Sequence, residues 1–492
     1  MTNYRDILIF MSDQHSANVS GFMGNKTVRT PNLDRIASGG TVCDYAYTPC
    51  PLCVPARMAA LCGMLPTNTG VVTNYRSLPE EVPTFAHSFA AIGYETVLCG
   101  RMHFMGEDQK HGFMKRIGLE LTPYYSGYGH LFKRDMGDFW GTFSELRSIE
   151  VIGGGKSPVL EYDKMVIQTA LEYLAQPHEK PQLIVVGTYA PHFPYVCPPE
   201  LFDYYRPIVQ PPSVRPSDIS HSLAPYSHRF KKAAVETYLN ARAAYYGMVE
   251  NMDAKIGAVH KAFRDFSANR GRDGLFIYCS DHGDMLGEYD MVGKQTLMDN
   301  AVQVPMVFEG DGIPKGNRVN APVSLLDLYP TLCSMYGAPV HSYLDGSDIS
   351  AILHGEKSDK HVITEIFIEK GEKEKVTVTE NNDKERNDKV LGRMVIKDGY
   401  KYVVFPKLNV YQLFKIGDDT REISSQHPEI CARMRAILEP LCGEEELIRE
   451  TDKFDRFLVV HNQCAKNVPF EETYRWIPPP ECTKAPGSLP AL

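Results

Sequence analysis

At 492 residues the chain is too long for one ordinary hydrophobic core and fits two or three domains, or one large sheet domain with an appendage. Its 43% hydrophobic and 23% charged content is that of a globular protein, and a formal net charge of −9 excludes a generally basic surface of the kind that binds nucleic acid or anionic membrane. Any anion handled here must meet a local cluster of positive side chains.

The first apolar run, residues 7–11, is too short to span a membrane, and no basic segment followed by a secretory apolar core opens the chain, which reads as cytoplasmic. Thr30-Pro31 opens a helix with apolar positions Leu33, Ile36 and Ala37, closed by Gly39-Gly40. Cys50-Pro-Leu-Cys53-Val-Pro-Ala-Arg57, followed by the apolar stretch 58–62 and Gly63, reads as a short capped helix. Cys53 and Arg57 then lie at its positive end, where unpaired backbone N–H groups favour an anion and should make a thiol unusually acidic.

Continuous apolar runs at 96–99, 183–186, 275–278 and 305–308 predict strands buried on both faces. Between the runs at 183–186 and 275–278, Ala241, Tyr245, Met248, Met252, Ile256, Val259 and Phe263 predict a long amphipathic helix, and 325–336 predicts another. The alternation points to an α/β fold, a large mostly parallel central sheet sandwiched by helices, with a main domain over 1–365.

Residues 369–389 carry dense mixed charge and read as a solvated loop. Two short apolar runs around Lys397-Asp398-Gly399 predict a β-hairpin, within a smaller C-terminal α+β domain (366–492) that contains an antiparallel sheet. Its proline-rich tail, from Pro478 onward, reads as an extended arm over the surface or over a neighbour in a homo-oligomer. The twelve cysteines are scattered and read mostly as small buried hydrophobes.

The polar residues just after each apolar run are more informative than the run itself. The first run ends in Ser12-Asp13-Gln14, the second in Gly100-Arg101-Met102-His103, the third in Pro191-His192, and the fourth in Ser280-Asp281-His282-Gly283-Asp284. In an open parallel sheet the carboxyl ends of the strands share one edge, where ligands bind. Taken singly, each Asp reads equally as a helix cap and each His as a buried, satisfied side chain. Cys50-x-x-Cys53 has no second pair to complete a zinc site and lies too far after the first strand for a thioredoxin-like motif.

Together, Asp13, Gln14, Asp281 and His282 make an oxygen-rich set for Ca²⁺, Mg²⁺ or Mn²⁺, the single imidazole tilting the choice towards Mn²⁺ or a less selective site. Arg57, Arg101, His103, His192 and Lys294 would hold a tetrahedral oxyanion beside such a cation, which suits transfer of a sulfuryl or phosphoryl group.

Cys53-Val-Pro-Ala-Arg57 resembles the type I sulfatase signature C-x-P-x-R, in which the cysteine is oxidised after translation to Cα-formylglycine. Ser280-Asp-His-Gly-Asp284 with Lys294 resembles that family's S-D-H-G segment and downstream lysine, Gly93-Tyr94 through Gly100-Arg101-Met-His103 resembles G-Y-x-T…G-K-x-H, and Pro191-His192-x-Pro194 resembles P-H-x-P. The resemblance spans roughly residues 5 to 350 and places the chain within the alkaline phosphatase superfamily. Arg101 stands where lysine is usual, Gln14 where a second aspartate is frequent, and His282 where asparagine is. The last two resemble the choline-sulfatase and phosphonate monoester hydrolase branch, and His282 also the iduronate sulfatase type.

The resemblance implies an alkaline-phosphatase-like fold and hydrolysis of a small-molecule or carbohydrate sulfate ester by hydrated formylglycine at Cys53, matured by a formylglycine-generating maturase. It implies a cation, calcium first and manganese or magnesium as alternatives, held by Asp13, Gln14, residue 53, Asp281 and His282. One hydroxyl of the hydrate, assisted by Asp281, would attack sulfur while His192 or Lys294 helps the alcohol leave. His103 would then take the second hydroxyl's proton as the covalent sulfate is expelled. Arg57 would anchor the hydrate, and Arg101 and Lys294 would bind sulfate oxygens. Asn74 is a candidate substrate contact or a turn residue. The alternative on this scaffold is a phosphonate monoester or phosphodiester hydrolase, because less negative charge around the cation leaves it a stronger Lewis acid.

Overall fold

The structure, a computed structural model, describes residues 5–125, 135–219, 221–230, 233–310, 312–369, 389–441, 443–467 and 472–486. Its largest element is an eight-stranded sheet built from β1 (Asp6–Asp13), β2 (Gly40–Cys43), β3 (Glu95–Gly100), β4 (Lys115–Ile117), β5 (Gln182–Pro191), β6 (Gly274–Ser280), β7 (Met306–Gly310) and β8 (Asn317–Val319). They lie in the order β8-β2-β7-β6-β1-β5-β3-β4. β1 pairs in parallel with β5 and β6, β3 with β4 and β5, and β8 with β2, while β7 is antiparallel to both its neighbours. The sheet is thus mostly parallel, and the five apolar runs fall in β1, β3, β5, β6 and β7.

Alternate residues of each central strand enter two different cores, which is why the runs are continuous rather than alternating. Leu8, Phe10, Ile184, Val186, Phe276 and Tyr278 pack on one face against α1 (Pro31–Ser38) and the helices Pro158–Leu174 and Val235–Asn269. Ile7, Ile9, Met11, Leu183, Val185, Leu275 and Ile277 pack on the other against α2 (Cys53–Cys62), α3 (Phe85–Ala91) and the helix Leu328–Tyr336. Numbered in chain order, the remaining three are α4 (Pro158–Leu174), α5 (Val235–Asn269) and α6 (Leu328–Tyr336). Every residue of the predicted amphipathic stripe, from Ala241 to Phe263, is buried on α5.

A second, four-stranded antiparallel sheet comes next, of β9 (Val362–Glu369), β10 (Lys389–Lys397), β11 (Tyr400–Phe405) and β12 (Val410–Lys415), with α7 (Pro428–Leu438) and α8 (Glu444–Asn467) after it. The β10–β11 hairpin turns on Asp398 and Gly399, both at positive φ (51° and 79°), as a two-residue primed turn requires. The expected division at 365 cuts through β9. That strand also binds the large domain: Thr364 Oγ1 donates to the Thr48 carbonyl at 2.7 Å and the Glu365 N–H to the Pro49 carbonyl at 2.8 Å. The small sheet therefore abuts the segment that leads into α2.

Most of the mixed-charge run, 370–388, lies outside the described residues. The C-terminal arm lies over the large domain of its own chain: the Glu120 N–H donates to the Tyr474 carbonyl at 2.6 Å, and the Trp476 N–H to the Glu120 carbonyl at 2.8 Å. It is not wholly extended, since Pro480–Cys482 forms a 3₁₀ turn that buries Cys482. Eleven cysteines among the described residues are free thiols. No helix among them is long and apolar enough to cross a membrane.

Candidate active site

In the order β6-β1-β5-β3, four consecutive parallel strands end at one edge, and the polar groups beyond their ends meet there. The register sets Ser12 beside Ser280, Asp13 beside Pro191 and Gly100 beside Gly187. Gly187 is required for the last approach, because a Cβ there would lie 1.7 Å from the Arg101 carbonyl oxygen. That carbonyl accepts from Arg57 Nη1 at 3.0 Å, so the close contact also fixes the arginine that points back from α2.

α2 brings residue 53 to the same edge. Gly63 at φ 70° closes its far end, and its first turn has no cap from its own Leu52. Instead Asn74 Oδ1 accepts the Val54 N–H at 2.9 Å. Asn74 thus stands next to residue 53 with its carbonyl oxygen engaged by the helix end.

Ligand atoms of Asp13, Cys53, Asp281 and His282 all lie within 4.8 Å of one another. His282 Nε2 is 3.2 Å from Cys53 Sγ and 3.7 Å from Oδ1 of both Asp13 and Asp281. Its Nδ1 faces the Gly283 carbonyl at 3.1 Å, which places the proton there and turns the Nε2 lone pair into the cluster. Burial holds this imidazole down at about 4, against the pull of Asp281, so it is neutral at physiological pH. The outward oxygens are held from behind. Arg57 Nε donates to Asp281 Oδ2 at 2.8 Å, and Arg101 Nε to Asp13 Oδ2 at 2.6 Å with Arg57 Nη2 at 3.3 Å.

Two hard carboxylate oxygens and one neutral imidazole, converging in a buried site with their second atoms already bonded, form a donor set that fits a divalent cation. Gln14 is oriented by its partners: Lys294 Nζ donates to its Oε1 at 2.6 Å and its Nε2 donates to Asp284 Oδ2 at 2.5 Å.

The remaining predicted residues line the same centre. Lys294 Nζ donates to His192 Nε2 at 2.5 Å while His192 Nδ1 donates to the Phe193 carbonyl at 2.7 Å, so His192 is neutral with its acceptor face turned to the lysine. Burial, reinforced by Lys294, holds it well below the usual histidine range. His103 is likewise held well below that range, first by burial and then by Arg101.

Two expectations are overturned. The Cys53 thiol is not acidic: burial, then the adjacent Asp13 carboxylate, push it up to about 11, outweighing Lys294. The helix end does not rescue it, since the Val54 N–H is taken by Asn74. Nor is His103 set up as a proton acceptor. Arg101 Nη2 donates to its Nδ1 at 2.8 Å, and a guanidinium can only donate, so the imidazole proton sits on Nε2.

Sequence reading missed three supports: Glu120, which binds Arg101; Asp284, which orients Gln14; and Tyr189, whose ring lies 4.1 Å from the Arg101 guanidinium carbon. Asp284 was visible in its motif, but nothing in the sequence around Glu120 or Tyr189 marks a contact so remote along the chain.

An alkaline-phosphatase-like α/β sandwich with this buried polar centre at its strand ends defines an ester hydrolase. The chain belongs to the Sulfatase family, whose pattern matches residues 5–338, and it is an enzyme that hydrolyses sulfate esters. It is 30% identical over 395 residues to a choline-sulfatase of Rhizobium meliloti, covering 75% of each chain. It is 27% identical over 474 residues to a Δ4,5-hexuronate-2-O-sulfatase of Bacteroides thetaiotaomicron, covering 88% of each. A phosphonate monoester hydrolase of Agrobacterium radiobacter superposes with a TM-score of 0.70 over 97% of this chain and 100% of that one, at 19% identity, a likeness of fold.

Proposed function

We propose that the chain hydrolyses a small-molecule or carbohydrate sulfate ester by way of formylglycine made from Cys53, with one divalent cation, calcium first, held by Asp13, Asp281, His282 and residue 53, and with Gln14 beside them. The observation that carries this is the convergence of Cys53 Sγ, His282 Nε2 and two carboxylates in one buried cluster flanked by Arg57, Arg101 and Lys294. When present, the cation and the aldehyde hydrate would supply a nucleophilic hydroxyl, charge neutralisation at sulfur and a second hydroxyl to release sulfate.

The chain's own residues divide the remaining work. Arg57 holds Asp13 and Asp281 so that each turns one oxygen inward. Arg101 has five N–H groups, four of which go to Asp13, Glu120, Thr122 and His103, leaving one on Nη2 for a sulfate oxygen. Lys294, set between Gln14 and neutral His192, is the proton source for the departing alcohol, and His192, whose Nε2 accepts from it, orients that ammonium. His103 presents an Nε2–H, a hydrogen-bond donor to oxygen charge that develops in the transition state.

The test compares an aryl sulfate with an aryl phosphonate on full-length protein whose Cys53 conversion has been confirmed by mass spectrometry. Sulfate turnover that disappears in Cys53→Ala and Lys294→Ala is expected. Turnover dominated by the phosphonate would overturn the substrate class, and an active enzyme whose residue 53 remains thiol would overturn the formylglycine route.

A further inference from the structure

Glu120 lies outside every motif of the site, yet it is completely buried against it. Its Oε1 accepts from Arg101 Nη1 at 3.0 Å, from Thr122 Oγ1 at 3.0 Å and from the N–H groups of Leu121 and Thr122 at 3.1 and 3.3 Å. Its Oε2 accepts the backbone N–H of His103 at 3.0 Å. One carboxylate thus grips both the guanidinium at 101 and the main chain at 103.

His103 needs such a grip. Its φ of 59° lies in the left-handed region, which is uncommon for a residue other than glycine and carries a modest cost. The Glu120 bond to its N–H fixes that backbone, and the Arg101 bond to its Nδ1 fixes the ring and its tautomer. Glu120 is itself clamped. Burial would raise its carboxyl, but Arg101 and Arg116, together with these N–H donors, keep it below the usual range and so ionised. Its main chain is bonded on both sides by the C-terminal arm, through Tyr474 and Trp476, and the Trp476 ring packs edge-on to Tyr162 of the core at 5.7 Å.

We propose that Glu120 is a positioning residue for sulfate ester hydrolysis, acting through Arg101 and His103, with residues 474–476 of the C-terminal arm as its anchor. The inference rests on the placement of Arg101 and His103 at the reacting centre given above. Without the carboxylate, Arg101 keeps Thr122 and Asp13 but loses the partner that aims Nη1, and the strained His103 backbone loses the bond that holds it. A guanidinium and an imidazole displaced by a fraction of an ångström stabilise the transition state less, while substrate encounter is unaffected.

The experiment is a double-mutant cycle on matured full-length protein turning over an aryl sulfate: Glu120→Ala, Arg101→Ala, His103→Ala and the Glu120→Ala pairs with each. Glu120→Ala alone is expected to lower kcat by roughly 10–100-fold with KM changed less than about threefold, as for a misplacement of catalytic groups. In the Arg101→Ala background, and again in the His103→Ala background, the same change should cost measurably less than in the wild type, because one of the two groups it positions is gone. Glu120→Gln, which retains a carbonyl acceptor for the His103 N–H, should recover part of kcat, and it replaces the alanine variant if that one does not fold.

Wild-type kcat in the Glu120 variants would overturn the proposal. So would an equal loss in every background, the mark of a merely structural role. Full activity of Arg101→Ala and His103→Ala themselves would instead overturn the placement of those two residues on which it rests.

Discussion

Arg57→Ala tests whether the centre is held by buried ion pairs. The side chain is fully buried and makes four bonds, to Asp281 Oδ2 (2.8 Å), Asp13 Oδ2 (3.3 Å), the Arg101 carbonyl (3.0 Å) and the Ser12 carbonyl (3.4 Å). Asp13 would keep Arg101 at 2.6 Å, but the fully buried Asp281 Oδ2 would lose its cationic partner. Breaking a buried pair from one side costs about 3–5 kcal/mol, most of it the stranded charge. A bound divalent cation would neutralise the same carboxylate, so the variant should gain more from calcium than the wild type does. The loss should be largest in chelator and shrink with saturating calcium by about 1.4 kcal/mol for each tenfold by which the variant binds calcium more tightly. Urea unfolding followed by fluorescence, with and without chelator, measures both, and a chain of this size calls for comparing the first transition. An Arg57→Ala protein that unfolds in chelator at the wild-type urea concentration would refute the argument.

Elemental analysis of purified protein should find one divalent metal per chain, and His282→Ala should lower its affinity at least roughly tenfold, because the Nε2 lone pair is aimed into the cluster. Mass spectrometry of the peptide carrying residue 53 should show aldehyde after co-expression with a maturase, and thiol at Cys50 in every case. Asp419 offers a pH test away from the centre: burial, then the Asp299 carboxylate, raise it to about 6, although Lys401 donates to both acids. Between 3.8 and about 6 the folded protein then holds a proton that the unfolded chain has released, so this group's stabilising contribution is present at low pH and lost as pH rises through about 6. Asp419→Asn should therefore be tolerated better, by urea midpoint, at neutral pH than at about pH 4.5.

Local pattern carried most of the fold. Five of the eight strands of the central sheet were legible because burial on both faces leaves a continuous apolar run in each, whereas the short β2, β4 and β8, which carry Thr41, Lys115, Arg116 and Arg318, have no such run. α5 was legible because its stripe keeps a helical period over the whole of 241–263. The strand-end rule located the site, since Asp13, Arg101, His192 and Asp281 each lie at or just beyond the carboxyl end of such a strand. Proton positions were not legible. That His103 donates rather than accepts depends on an arginine bond and on a left-handed backbone, neither of which has a local pattern. Glu120 was invisible for a related reason: it comes after a three-residue strand, and its main-chain partners lie some 350 residues further on, in a tail whose prolines say only that it is irregular.

The thiol shows how a site can reverse the property of its own fragment. An isolated helix start favours a thiolate, but here Sγ is 3.6 Å from Asp13 Oδ1 and 3.2 Å from a neutral imidazole, with 1% of Cys53 exposed. At about 11 it is protonated and a poor nucleophile at neutral pH, so the unmodified side chain is suited neither to attack nor to bind a cation without losing its proton. The same burial closes the route by which another enzyme could reach it in the folded state. Under the proposed mechanism, conversion of Cys53 must therefore precede closure of the sheet edge around α2, and protein purified with thiol at 53 should stay resistant to the maturase until it is unfolded.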